Sequence, residues 1–165
     1  MKKVIIASVV LLSLVFAEFG AYIDTNASSL FPSNVPVGLG SYGAYWAFDK
    51  NIDLQGSIGG VDEDASGVNK GISFLILEGT YYILAKGDFL LGVTGIYTSL
   101  SGDGDTSNTI ALGGSAKWKL NRVFALKADA IAYSSTSGKF NGDDRKGNAM
   151  LAGNSARIYA ILDLF

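Results

Sequence analysis

The chain has 165 residues, a formal net charge of −2, 21 glycines and 2 prolines, and it contains neither cysteine nor histidine. This length suits one domain with a sizeable core, and the slight acidic excess argues against a nucleic-acid partner, which needs a clustered basic face. Lack of cysteine excludes disulfides and thiolate zinc sites, and lack of histidine removes the commonest general base. We therefore expect no enzymatic activity, no cofactor and no metal site.

The first seventeen residues have the pattern of a secretory signal peptide. Two lysines precede an apolar run over residues 4–16, and the small residue Ala17 follows. Such a run is shorter than the ~20 residues that a membrane-spanning helix needs. We expect cleavage after Ala17, which would leave one domain over residues 18–165.

Apolar and polar residues then alternate in blocks that are separated by two kinds of connection, and no block has a helical period. The blocks predict eight strands, over residues 18–24, 36–48, 52–61, 71–84, 89–100, 109–120, 123–133 and 149–165. Short turns, at residues 49–51, 85–88 and 121–122, alternate with long polar loops, at residues 25–34, 62–70, 101–108 and 134–148. This plan is typical of an all-β, antiparallel, up-and-down transmembrane β-barrel.

Within the strands, one face is apolar and the other carries charges. In the sixth strand Leu112 and Lys117 fall on opposite faces, and in the seventh Leu126 and Asp129 do so. This pattern fits lipid outside and a polar lumen inside. A soluble barrel with its faces exchanged would show the same alternation.

Two sets of candidate site residues follow from the alternation. The charged residues predicted to face the lumen are Glu78, Lys117, Lys127, Asp129 and Arg157. Because eight strands enclose a lumen that side chains can fill, we interpret this set as an internal ion-pair network, with a narrow ion path as the alternative. The aromatic residues beside the short turns, predicted to lie at a membrane interface, are Trp46, Phe48, Phe89, Trp118 and Phe124.

The mature chain resembles the small eight-stranded outer-membrane barrels of Gram-negative bacteria, the OmpA/OmpX-like group, and its last strand, residues 157–165, ends on an aromatic residue as theirs do. The resemblance implies that Phe165 takes part in a signal read by the barrel-assembly machinery. Counting back by twos from Phe165 gives Asp163 and Arg157, so either a bulge shifts the register or Phe165 does not point outward. Some eight-stranded outer-membrane barrels are lipid-modifying enzymes, which resemble one another in using a histidine with a serine. This chain contains no histidine.

The sequence leaves three functions open. The first is a monomeric outer-membrane barrel with a structural, envelope-stabilising or adhesive role, which contacts lipid and lipopolysaccharide and uses its long loops for any extracellular ligand. The second is a narrow porin-like channel, and the third is a soluble periplasmic lipocalin-like carrier of an apolar ligand. Asp103 and Asp105 resemble the start of a calcium loop but lack its closing glutamate, so we interpret them as solvated loop residues.

Overall fold

The computed structural model describes residues 18–24, 42–61, 72–102, 104–140, 143–144, 147–150 and 156–163. The predicted signal peptide, the predicted loops at residues 25–34 and 62–70, and Phe165 lie outside the described residues. In the part of the chain that the structure describes, no helix is long and apolar enough to cross a bilayer.

The described residues form a closed antiparallel barrel of eight strands, as predicted. The strand segments are β1 (Glu18–Asp24), β2 (Tyr42–Asp49), β3 (Ile52–Val61), β4 (Ile72–Lys86), β5 (Phe89–Gly102), β6 (Asp105–Lys119), β7 (Phe124–Phe140), β8 (Asp143–Asp144), β9 (Gly147–Met150) and β10 (Ala156–Asp163). Each of β1 to β7 pairs with the next, and β10 closes the barrel by pairing with both β1 and β7. Segments β8 and β9 pair only with the far half of β7, so they extend the eighth strand.

The three predicted short turns all connect strands at one end of the barrel, which we call the turn end. They join β2 to β3, β4 to β5, and β6 to β7. In the middle turn Gly87 adopts a positive φ of 60°, a conformation that glycine reaches without steric cost. The opposite end is called the loop end.

Two predicted long loops are wrong in the structure. Residues 101–102 and 105–108 are the paired ends of β5 and β6, where Ser101 lies opposite Thr106, and Gly104 has a φ of 83°. Residues 134–140 continue β7, which pairs with β8 and β9. Serine, threonine and asparagine suit a strand that continues into water as well as they suit a loop, so polarity alone made these predicted strands too short.

The apolar face of the barrel points outward. Ile110 and Leu112 are 57% and 54% exposed, whereas Lys117 on the opposite face of the same strand is 1% exposed. Beneath the turn end, a small group of inner side chains packs together, made up of Tyr22, Tyr45, Ala47, Ala125, Tyr159 and Ile161. The barrel therefore encloses its charges and presents its large aliphatic side chains to the surroundings.

Adjacent glycines in β6 provide a test of the close packing between β6 and β7. A Cβ on Gly113 would overlap the carbonyl oxygen of Ala130, while a Cβ on Gly114 would have its nearest neighbour 3.9 Å away, at the Gly92 carbonyl oxygen. We expect Gly113→Ala to lower the free energy of unfolding by about 1–3 kcal/mol. The matched Gly114→Ala should change it by less than about 0.5 kcal/mol. Urea unfolding of both variants measures this, and equal effects would contradict the described packing.

Candidate functional site in the barrel lumen

The lumen of the described barrel holds a balanced set of buried charges. Three carboxylates and three basic groups are each at most 4% exposed: Asp53, Glu78, Asp129, Lys117, Lys127 and Arg157. All five charged residues that the sequence assigns to the lumen thus lie on the inner face. Because the formal charges of the six groups cancel, the interior can be filled without a large net desolvated charge.

Glu78 on β4 is the centre of one cluster. Its Oε1 accepts a hydrogen bond from Lys127 Nζ, and its Oε2 accepts bonds from Arg157 at 3.1 Å and from the Tyr159 hydroxyl at 2.6 Å. Lys127 also donates to Thr80 Oγ1 at 2.8 Å. The strand register brings two of these hydrogen-bond donors together, because Tyr159 on β10 lies directly opposite Lys127 on β7. Glu78 therefore joins three strands that are far apart in sequence.

Both cations of this cluster also face an aromatic ring. Lys127 Nζ lies 5.1 Å, and the Arg157 guanidinium carbon 4.7 Å, from the centre of the Tyr159 ring. Cations within about 6 Å of a ring face are attracted by its quadrupole, and the attraction grows when the pair is desolvated. Tyr159 thus stabilises the cluster through its ring as well as through its hydroxyl.

Asp53 on β3 is the centre of a second cluster, nearer the turn end. Its two oxygens accept hydrogen bonds from the Tyr45 hydroxyl at 2.9 Å and the Tyr82 hydroxyl at 2.8 Å, and Lys117 Nζ lies 3.2 Å from Oδ2. Lys117 also donates to the Tyr45 hydroxyl and lies 4.4 Å from the centre of its ring. Asp53 is therefore satisfied by one cation and two phenols.

The sequence analysis did not identify Asp53 or the tyrosines that donate hydrogen bonds to the carboxylates of the two clusters. The signal for Asp53 was available, because Asp53, Gln55 and Ser57 occupy every second position of β3 and share its inner face. The tyrosines gave a weaker signal. Tyr82 is buried in the lumen while its neighbour Tyr81 is 53% exposed, so residue type alone does not assign a tyrosine to one face.

This arrangement is suited to holding the lumen closed. Arg157, Tyr159, Tyr45, Lys117 and Lys127 are among the largest fully buried side chains, and all five belong to these two clusters. A buried carboxylate that already accepts several hydrogen bonds has little capacity to bind a substrate. Within the described ranges, no group of three or more acidic residues has the geometry to hold a metal ion.

The five aromatic residues predicted to lie at an interface are found on strands β2, β5, β6 and β7, next to the three turns. Phe89, Trp118 and Phe124 are 43%, 54% and 50% exposed. Trp46 and Phe48 are partly exposed and stack on each other with ring centres 4.1 Å apart. Together they form a band of aromatic side chains around much of the turn end.

The Asp53 cluster provides a second testable prediction. Replacing Tyr82 with phenylalanine keeps the ring and removes one hydrogen bond to the buried carboxylate. Hydrogen bonds to charged groups contribute about 1.5–3 kcal/mol, so we expect the free energy of unfolding to fall by that amount. The control is Tyr81→Phe on the outer face, which should change it by less than about 0.5 kcal/mol in a urea titration. Equal effects would mean that the hydroxyl of Tyr82 contributes nothing specific.

Comparison with protein-family models finds no match to this chain, and a search of curated proteins finds no similar sequence.

Proposed function

We propose that the chain is an integral outer-membrane β-barrel protein with a side-chain-filled lumen and a structural, envelope-stabilising or adhesive role. The observation that carries this proposal is the orientation of the faces. Large apolar side chains on β3 to β7 are 37–75% exposed on the outside, while the charges are enclosed. In water such a surface would be an aggregation hazard, whereas hydrocarbon chains cover it without cost.

The height of the apolar surface also supports a membrane location. On β5, the outward residues Phe89 and Tyr97 are eight positions apart. At a rise of ~3.4 Å per residue and a strand tilt of ~40°, they are separated by about 20 Å along the barrel axis. Beyond Tyr97 the outer face turns polar, with Ser99 and Ser101. This height is close to the ~25 Å apolar band of outer-membrane barrels.

The packing of the lumen favours a closed barrel over a porin-like channel. The lumen charges pair with one another, so they are less available to an ion passing through the lumen. A lipocalin-like carrier would need an apolar interior to hold its ligand, and the middle of this interior is charged. Both observations support the structural role.

The other parts of the proposal concern export and partners. Residues 1–17 would direct secretion, Phe165 would contribute to recognition by the assembly machinery, and the outer surface would contact lipid and lipopolysaccharide. Any adhesive contact would be made through residues 25–34, 62–70, 101–108 and 134–148. We propose that the barrel acts as a monomer, since its own strand pairing closes it.

Cell fractionation followed by gel migration with and without boiling tests the proposal. We expect the protein in the outer-membrane fraction and a shift in migration on heating, because a closed barrel resists detergent until heated. A soluble periplasmic protein without a heat shift would refute it and favour the carrier. For a membrane-inserted protein, conductance in planar bilayers separates the closed barrel, which should be nearly silent, from a channel.

A further inference from the structure

The outer wall of the barrel has a depression at mid-height whose floor consists of two glycines. Gly79 on β4 lies directly opposite Gly95 on β5, and both fall on the outward face of their strands. Two open cavities meet at this pair, one of about 600 Å³ on its turn side and one of about 460 Å³ on its loop side. The large outward side chains around the pair are Leu54, Leu77, Tyr81, Val93, Tyr97 and Leu112.

The barrel wall does not require glycine at either of these two positions. A Cβ on Gly79 would have its nearest neighbour 3.5 Å away at Leu54 Cδ2, and a Cβ on Gly95 would have it 3.6 Å away at Leu112 Cδ2. Both are ordinary contacts, and neither glycine has a positive φ. By contrast, a Cβ on Gly92 of the same β5 strand would overlap a carbonyl oxygen of β4. The wall could therefore carry side chains at both positions, and the two glycines leave an open space on its outer surface.

The polarity of this surface changes toward the loop end. Beyond Leu77 and Tyr97, the next outward pair on the two strands is Leu75 opposite Ser99. A third cavity, of about 440 Å³, lies at this pair, and Ser99 and Ser101 contribute to its lining. We call the three successive cavities the wall groove. A polar end that leads into an apolar body matches the two parts of a membrane lipid.

The length of the wall groove matches one leaflet of a bilayer. Ser99 and Val93, which mark its two ends on β5, are six positions apart. At a rise of ~3.4 Å per residue and a strand tilt of ~40°, they are separated by about 15 Å along the barrel axis. Half of a hydrocarbon core of ~30 Å is also about 15 Å. The groove therefore has the length that one acyl chain covers when its polar group lies at the loop end.

We propose that the wall groove binds one acyl chain of a glycerophospholipid, whose ester region lies beside Ser99 and Ser101. This inference rests on the proposed membrane location and adds a defined lipid position to it. The serine hydroxyls can donate hydrogen bonds to ester carbonyl oxygens. Lysine and arginine, the side chains that bind phosphate groups, do not contribute to the described lining, so the groove is not built for the phosphates of lipopolysaccharide.

The shape of the groove favours a hydrocarbon chain over a second copy of the protein. Lipid tails are as apolar as leucine, so association inside a membrane depends on close van der Waals packing, often over glycine. A flexible acyl chain can follow the groove along its whole length and contact the backbone of Gly79 and Gly95. A second barrel has the same convex wall, so it would enter the groove only with single side chains.

Photo-crosslinking of the purified protein in vesicles of dioleoylphosphatidylcholine tests this inference. A small fraction of the lipid carries a photoactivatable diazirine in one acyl chain, and mass spectrometry locates the labelled residues after digestion. We expect labelling on the outer faces of β4 and β5 to exceed labelling around Ala128, which is exposed on the outer face of β7. Equal labelling around the barrel would show ordinary boundary lipid only and would overturn the proposal.

Two variants with the same added side chain sharpen the test. Gly95→Leu fills the middle of the groove, so labelling on β4 and β5 should fall to the level around Ala128. The matched control is Ala128→Leu, which adds an outward side chain away from the groove and should leave labelling on β4 and β5 unchanged. If Gly95→Leu does not insert, Gly95→Ala adds only a Cβ at ordinary contact distance and should still weaken the preferential labelling. Unchanged labelling in an inserted Gly95 variant would overturn the proposal.

The remaining outcomes separate this inference from the proposed function. Preferential labelling that is lost when lipopolysaccharide is added would assign the groove to that lipid and overturn the proposal. A cross-linked dimer of the parent protein that Gly95→Leu abolishes would assign the groove to a second copy and overturn it as well. A parent protein that does not insert into vesicles would refute the membrane barrel itself, whereas an inserted barrel with uniform labelling would refute this inference alone.

Discussion

Glu78→Ala will lower the free energy of unfolding by about 3–5 kcal/mol, the range observed when one partner of a buried ion pair is removed. The reason is that Glu78 is bonded to Lys127 and Arg157 together, and both cations are buried. Asp129 lies 3.8 Å from Lys127 and can compensate only part of the loss. Urea unfolding of the barrel, followed by tryptophan fluorescence, measures the change.

The matched control is the exposed ion pair at the loop end. Lys139 and Asp144 are 3.9 Å apart, and their side chains are 62% and 65% exposed. Exposed pairs contribute about 0–1 kcal/mol, so Asp144→Asn should have almost no effect. If Glu78→Ala fails to fold, Glu78→Gln retains the shape and some hydrogen bonds and should still lose stability. A Glu78→Gln barrel as stable as the parent would contradict a central role for the carboxylate charge.

The alternation of apolar and polar residues made it possible to predict which residues share a face of the barrel wall. Inner and outer positions follow a period of two, so the sequence separates Lys127 and Asp129 from Leu126 without knowledge of the fold. Alternation does not tell which of the two faces points out of the barrel, because the same pattern describes a barrel with its faces exchanged. Which face points outward is decided when the sheet closes, and in the structure the apolar face is the exposed one.

The partners within the lumen were less predictable, because register and bulges decide them. Glu78 is hydrogen-bonded to Arg157 because β10 closes the barrel by pairing with β7, and local sequence does not specify that pairing. Near Ala132 an extra residue in β7 shifts the pairing with β6. After this bulge Thr136 points inward and bonds Thr109 at 2.9 Å, although strict alternation would place it outside.

Leu112→Arg will separate a membrane barrel from a soluble one. Leu112 lies at the middle of β6, points outward and is 54% exposed. Arginine on the lipid face at the bilayer midplane costs about 2–4 kcal/mol, so this variant should fold into lipid vesicles with a free energy lower by that amount. For a soluble barrel, the same change would replace an exposed leucine with a charge and would leave stability nearly unchanged.

Thr106→Arg is the matched control on the same strand and the same face. Thr106 lies near the loop end, where Ser101 and Thr106 hydroxyls are 3.2 Å apart in an exposed polar region. The penalty for arginine falls to about 0–1 kcal/mol near an interface, so this variant should resemble the parent protein. A large difference between the two variants in vesicles requires a hydrocarbon environment at Leu112, because water screens both positions equally. Equal stabilities would place Leu112 in water and refute a membrane-spanning barrel, whatever the charges in its lumen.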